Sequence, residues 1–353
     1  MTLPKLRIRG FELPTCIVQG GMGVRVSNPT LARAVFQNGG LGVLSSAGLK
    51  GALSRKNNKP YTTYDAVREE IETAQAGGFL AGLNVMYKLG KDYEETVRAA
   101  VDAKVSALFL GAGLPKKIEN LGDTAVVWIV SSARALKILL RWWRPRLPDA
   151  VVVEGPEAGG HLGFTLEEVG NPNFSLENIL PDILKLAKEN GNFPVIAAGG
   201  IWSKEDIIKF LNRGVSGVQM ATRFLATIES GATDDFKRAL VSSTKDVIKV
   251  VMGSPCGYPF RILTTSPMFN ASRKPKCDLG FVLDKDGNDN YTVCRAHPNN
   301  PENSKFFCIC NGLMSGVGLA PAEPALYTVG SNAYRVQSIV SVSDLMNELS
   351  CGV

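Results

Sequence analysis

The chain has 353 residues, 45% of them hydrophobic, and 39 basic against 33 acidic side chains leave a net charge of +6. That length suits one large α/β barrel with an appendage, or two ordinary domains, and the apolar content is ample for a sizeable core. No apolar run approaches the ~20 residues of a membrane span, no signal-peptide pattern opens the chain, and the basic cluster Arg141-Trp142-Trp143-Arg144-Pro145-Arg146 is too short for a nucleic-acid platform, so a cytoplasmic globular protein is expected.

Residues 15–19 read as a first strand ending in Gly20-Gly21-Met22-Gly23. Asn28-Pro29 caps a helix through about residue 38, Gly39-Gly40 closes it, and 41–45 form the next strand. After a polar loop, a helix over 63–75 precedes the strand 79–85. A helix over 92–103 leads to the strand 105–110, which ends in Gly111-Ala112-Gly113. The strands 125–130 and 151–153 flank a helix over 132–143, and three consecutive valines at 151–153 mark a strand buried on both faces. A helix over 175–189 leads into 194–201, and one over 204–211 precedes the last strand, 217–220. Eight strand-helix alternations closing on themselves make an α/β fold of the TIM (β/α)8 barrel type, with its site on the loops at the strand carboxyl ends. A doubly wound sheet fits less well, because no G-x-G-x-x-G turn follows the first strand.

On this fold Gly20-Gly21, Ser45, Asn84, Gly111, Ser131, His161, Gly199-Gly200 and Ala221-Thr222 fall at strand carboxyl ends and should converge on one mouth. The turn Glu154-Gly155-Pro156-Glu157-Ala158-Gly159-Gly160-His161 is too rich in glycine to be chosen for stability and lets a ligand approach the backbone. His161, one of two histidines, is a candidate proton-transfer group. Ala198-Gly199-Gly200 after the seventh strand offers unobstructed amides, and Met220-Ala221-Thr222-Arg223-Phe224 after the eighth opens a short helix. Together they form a phosphate cradle where barrels commonly hold one.

Gln19-Gly20-Gly21-Met22-Gly23, the turn from Glu154 to His161, Ala197-Ala198-Gly199-Gly200-Ile201 and Gln219-Met220-Ala221-Thr222-Arg223-Phe224 resemble, in this order, the nitronate monooxygenase family. FMN-type enoyl-acyl carrier protein reductases share the scaffold and much of the pattern. The resemblance implies FMN held noncovalently at the barrel mouth. Carried over residue by residue, Gly20, Gly21 and Met22 run along the reactive edge of the isoalloxazine, and Gln19 and Asn84 lie near the ring or ribityl chain. Gly160, Gly199, Gly200, Ala221 and Thr222 hold the phosphate end. Ser45, Ser131, Glu154, Gly159, Ala198 and Met220 complete the cofactor set, and the catalytic histidine falls on His161.

The implied activity is oxidation of an alkyl nitronate, of the propionate 3-nitronate class, by dioxygen to a carbonyl compound and nitrite. His161 removes the α-proton of a neutral nitroalkane, or hydrogen-bonds the nitro oxygens of a nitronate already formed. The alternative is a reductase, for an enoyl-acyl carrier protein or a quinone, fed by NAD(P)H at the same flavin site. A basic surface fits an acidic carrier protein without establishing one. An FMN-binding sensor without turnover is a third reading, against which an intact His161 argues. Homodimer formation is left open.

Two departures bear on substrate: the acidic excursion 164–174 is expected to rim the pocket, and Ala221 stands where the family often has glycine. The barrel is expected over 1–252 and a capping loop and helix segment over 253–353, with Cys310, Asn311, Gly312 and Tyr327-Thr328-Val329-Gly330 closing the pocket. Asp284, Asp286 and Asn288 mimic a calcium loop, but Glu302 is too distant to complete it and a hairpin turn is expected. Seven cysteines form an odd set without a small-domain framework, and Cys277, Cys294, Cys308 and Cys310 lack a C-x-x-C pair, so reduced thiols and no metal are expected.

Overall fold

Eight parallel strands close into a barrel in the computed structural model, which describes residues 2–89, 92–277, 281–283 and 291–351. They are β1 (Ile17–Gln19), β2 (Leu41–Ser45), β3 (Ala81–Met86), β4 (Ala107–Gly111), β5 (Ala125–Val130), β6 (Ala150–Glu154), β7 (Val195–Ala198) and β8 (Gly217–Met220). Each pairs with the next, and β8 returns to β1 with Val218 opposite Ile17 and Met220 opposite Gln19. The strands are apolar on both faces because side chains fill the barrel inside and helices cover it outside. All of Ala107–Gly111 is buried, as are Val151, Val152 and Val153.

Helices Pro29–Gln37, Thr63–Gln75, Asp92–Asp102, Ala133–Trp142, Leu176–Glu189, Lys204–Leu211 and Thr222–Leu225 follow seven of the strands. Local chemistry sets their starts. The Asn28 side chain accepts from Leu31 N with Pro29 at the first position, and Ser203 and Asp206 form a capping box. The eighth alternation is missing: 112–124, between β4 and β5, is an irregular loop held by Trp143 Nε1 donating to the Pro115 carbonyl at 2.8 Å. Gly113, Pro115 and Gly122 break any helical period there. Two elements appear that sequence periodicity does not flag. Helix Leu49–Asn57 follows β2, and a hairpin of Leu6–Ile8 with Phe11–Leu13 brings Leu6 beside Gly217 at the start of β8. The seventh strand stops at Ala198, because Gly199 and Gly200 turn to φ of +96° and +80°.

The chain after β8 wraps the mouth. Ile248–Val251 pairs antiparallel with Phe260–Leu263, whose other edge takes up Gly160–His161, with Phe260 opposite His161 and Arg261 opposite Gly160. Phe281–Leu283 and Tyr291–Val293 pair antiparallel, and the turn expected at Asp284, Asp286 and Asn288 lies outside the described residues. The last helix, Val342–Cys351, returns to the barrel, where Val342, Leu345, Met346 and Leu349 join the main core. No helix among the described residues is long and apolar enough to cross a membrane.

Candidate active site

A cavity of about 660 Å³ opens at the carboxyl ends of the strands. Its wall brings together Gly20, Gly21 and Met22 after β1, Ser45 on β2, Asn84 on β3, Ser131 after β5, and Glu154, Gly159, Gly160 and His161 at and after β6. Ala198, Gly199 and Gly200 follow from β7, and Met220, Ala221 and Thr222 from β8. The expected convergence of these residues on one mouth is what the barrel produces.

Gln19 is the exception, and its expected place beside a ligand needs correcting. It is fully buried and does not line the cavity. Its Nε2 donates to Ser27 Oγ at 2.7 Å and to the Gly20 carbonyl, while its Oε1 accepts from Val43 N at 3.2 Å. Ser27 Oγ in turn accepts from Met22 N at 2.8 Å. The side chain is thus consumed in tying β1 to β2 and in fixing the turn that carries Gly20-Gly21-Met22. The excursion 164–174 also stands away from the wall, with Phe164 packed edge-on against Phe174 at 6.5 Å, so it does not rim the pocket. Arg223 turns from the cavity to Glu348, at 2.5 Å, and stacks on Trp202.

His161 is held from two sides. Its backbone is a strand partner of Phe260, and its Nε2 lies 2.7 Å from Ser254 Oγ, which also accepts from Cys256 N at 3.3 Å. Burial holds the imidazole down to about 4, well below its ordinary 6.5, so the ring is neutral at physiological pH. A neutral ring acts as a base only through the nitrogen that carries the lone pair. In the tautomer whose Nε2–H donates to Ser254 Oγ that nitrogen is Nδ1, and in the other tautomer Nε2 accepts from the Ser254 hydroxyl. Glu154, at the end of β6, also lines the cavity, and burial pushes its carboxyl up to about 7.

Around the loops after β6, β7 and β8 the chain packs so closely that only glycine fits. A Cβ on Gly199 would sit 2.9 Å from the Gly155 carbonyl oxygen, and one on Gly159 would sit 2.5 Å from the Val329 backbone. Residues 330–332 are fastened across all three loops. Gly330 N donates to Thr222 Oγ1 at 2.9 Å, Ser331 N to the Glu157 carbonyl at 3.1 Å, and Asn332 Nδ2 to the Gly200 carbonyl at 2.6 Å. Of the residues expected to close the pocket, Cys310, Thr328, Val329 and Gly330 line it. Asn311, Gly312 and Tyr327 do not: Asn311 bonds the Lys276 carbonyl, and Tyr327 stacks on Phe236.

Two contributors escape sequence reasoning, and a third, Gln219, enters it only as part of a motif and without a role. Ser254 lies in no motif. Arg261 is 7% exposed and spans the glycine-rich turn from beneath, bonding the Pro156 carbonyl at 2.8 Å and the Ala158 carbonyl. Gln219, on β8, lines the cavity, and its Oε1 is buried without a hydrogen-bond partner. Its place at the head of that motif, as a polar residue in an apolar strand, is the signal that points to it.

The nitronate monooxygenase family model matches residues 7–352. A curated relative from Mycobacterium tuberculosis, "(3aS,4S,5R,7aS)-5-hydroxy-7a-methyl-1-oxo-octahydro-1H-indene-4-carboxyl-CoA dehydrogenase", is 30% identical over 74% of this chain. The chain spans 66% of that protein and 62% of its Rhodococcus jostii counterpart. The nitronate monooxygenase of Pseudomonas aeruginosa is 28% identical over 79% of this chain and 85% of its own length. Among solved structures, FabK from Thermotoga maritima superposes with a TM-score of 0.69 at 25% identity, covering 96% of this chain and 91% of that one. Nitroalkane oxidase from Streptomyces ansochromogenes shares the fold, with a TM-score of 0.66 at 22% identity over 96% and 95% of the two chains. With a closed barrel, one glycine-walled mouth and a family match that runs almost end to end, the chain belongs to the nitronate monooxygenase family.

Proposed function

We propose that the protein binds FMN at the barrel mouth and oxidises alkyl nitronates of the propionate 3-nitronate class with dioxygen to a carbonyl compound and nitrite. The observation that carries this reading is one cavity wall that holds both a neutral histidine, bonded to Ser254, and the glycines Gly199-Gly200. The residues present fit the cofactor. Gln219 Oε1 is a buried acceptor without a partner, which a ligand N–H would satisfy, and Gly20, Gly21 and Asn84 stand beside it along the same wall.

Gly199, Gly200, Ala221 and Thr222 would hold the phosphate end, with the Thr222 hydroxyl, already accepting from Gly330, keeping its own proton for an anion. When bound, FMN supplies the electron transfer and oxygen activation that no side chain here can perform. The chain's own part is binding and proton handling. In the tautomer with its lone pair on Nδ1, His161 takes the α-proton from a neutral nitroalkane, and Ser254 holds the ring through Nε2. With a nitronate supplied, His161 has only to hydrogen-bond the nitro oxygens. The tail residues Thr328, Val329 and Gly330 reduce water access across the mouth.

A second reading keeps the same site. The first curated relatives are named as carboxyl-CoA dehydrogenases, which favours a thioester substrate at the same site; the reductase form of this reading takes NAD(P)H as electron donor. Aerobic assays of the FMN-loaded protein decide between them. Nitrite release with propionate 3-nitronate, and no NADH consumption with an enoyl thioester, is expected; the reverse pattern overturns the nitronate reading.

A further inference from the structure

The segment from 271 to 310 has a core made largely of sulfur. Cys277, Cys294, Ala296 and Cys308 are buried together, with Phe306 and Cys310 packed against them. Backbone bonds draw three stretches side by side: Cys308 N donates to the Pro275 carbonyl at 2.8 Å, Cys277 N to the Ala296 carbonyl at 3.1 Å, and Asn311 Nδ2 to the Lys276 carbonyl at 2.7 Å. The side chains meet in pairs along a chain, Cys294 with Cys277, Cys277 with Cys308, and Cys308 with Cys310. All four line the cavity. No group of three or more His, Cys, Asp or Glu side chains among the described residues is set to hold a metal ion. Pairwise contact is instead the arrangement of partners for a sulfur–sulfur bond.

We propose that Cys277 is the hub of a dithiol–disulfide site in the cavity wall, closing onto Cys308 or Cys294 when a hydroperoxide reaches it. Two S–H bonds and the O–O bond break and one S–S bond forms. Two electrons pass from sulfur to oxygen, and the two thiol protons leave on water and the alcohol, or on two waters when the oxidant is hydrogen peroxide. Sulfur contact and burial push the Cys308 thiol well up, so it sits as a neutral thiol and reacts more slowly than a thiolate would. Cys308 caps the helix Ile309–Gly316, whose Ile309 and Leu313 line the cavity, so closing the bond pins that stretch of wall. The site does not depend on which substrate the barrel takes, nor on the cofactor.

Thiol counting tests it. Full-length protein freed of dithiothreitol is held with excess hydrogen peroxide, denatured, titrated with Ellman's reagent and mapped by mass spectrometry. Two of the seven thiols are expected to disappear into a peptide linking Cys277 to Cys294 or Cys308, and to return with dithiothreitol. Cys277→Ser is expected to keep its remaining thiols, whereas Cys351→Ser, at the exposed carboxyl end, loses two as the parent does. Should Cys277→Ser fail to fold, the double variant Cys294→Ser/Cys308→Ser removes both partners and is expected to form no link to Cys277. Retention of all seven thiols, a linkage that leaves out Cys277, sulfinic acid without a linkage, or stoichiometric metal released on thiol modification would each overturn the proposal.

Discussion

Replacing Ser254 by alanine separates what the histidine does from where it sits. Ser254 is 2% exposed and its Oγ is 2.7 Å from His161 Nε2, so the substitution leaves a half-buried ring nitrogen without its partner. Such an orphaned group costs about 1–3 kcal/mol, and the freed ring loses the contact that fixes its orientation. At about 1.4 kcal/mol per tenfold, turnover of a neutral nitroalkane is expected to fall about 10- to 100-fold. A preformed nitronate needs no proton removed, so its turnover is expected to stay within about threefold of the parent. The urea midpoint is expected to drop by an amount equivalent to about 1 kcal/mol, because Cys256 N also loses its acceptor. The assay is nitrite release with nitroethane and with ethyl nitronate, at saturating FMN. Equal losses on both substrates, or no loss on either, would refute the assignment of His161 as a base held by Ser254.

The remaining expectations concern charge and backbone. Because burial holds His161 down to about 4, the rate with a neutral nitroalkane should stay level from pH 8 to about 5 and halve near pH 4; an inflection near 6.5 would contradict a buried neutral ring. The same shift makes the unfolded chain take up its proton first, so this group erodes stability as pH falls from 6.5 towards 4. Glu154 has the opposite sign. Its folded value of about 7 lies above the ordinary 4.5, so its contribution is complete below 4.5 and lost as pH rises through 7. Glu154→Gln should therefore raise the unfolding midpoint of the apoprotein by about 2 °C at pH 8 and leave it unchanged at pH 5, and a rise at both pH values would show that its carboxyl is not the cause. Gly199→Ala forces a Cβ to within 2.9 Å of the Gly155 carbonyl oxygen at a φ of +96°, and about tenfold weaker FMN binding is expected in a fluorescence titration; unchanged affinity would remove that turn from the cradle.

The barrel was legible because its signal is periodic. Apolar runs such as Val151-Val152-Val153 recur between amphipathic stretches capped by Asn28, Ser132 and Ser203, and the glycines that end strands mark the mouth. The loop over 112–124 replaced a helix because its glycines and proline carry no period, and a count of strands alone conceals the gap. Gln19 misled for a different reason. It heads the most recognisable motif, but its direction is set by the pairing of β1 with β2, which points its amide into Ser27 and Val43 rather than at a ligand. Ser254, Arg261 and the cysteine cluster reach the site through contacts across about 100 residues or through a tail without repeats, so nothing near them in sequence announces their partners.

Anaerobic mixing of the FMN-loaded protein with propionate 3-nitronate, followed by absorbance near 450 nm, bears most directly on the claim that this mouth holds a flavin and presents it to a nitronate. The yellow colour should bleach without any nicotinamide and return when air is admitted. Protein that takes up no FMN when it is offered, or whose flavin stays oxidised with nitronate and bleaches only with NAD(P)H, would contradict the account.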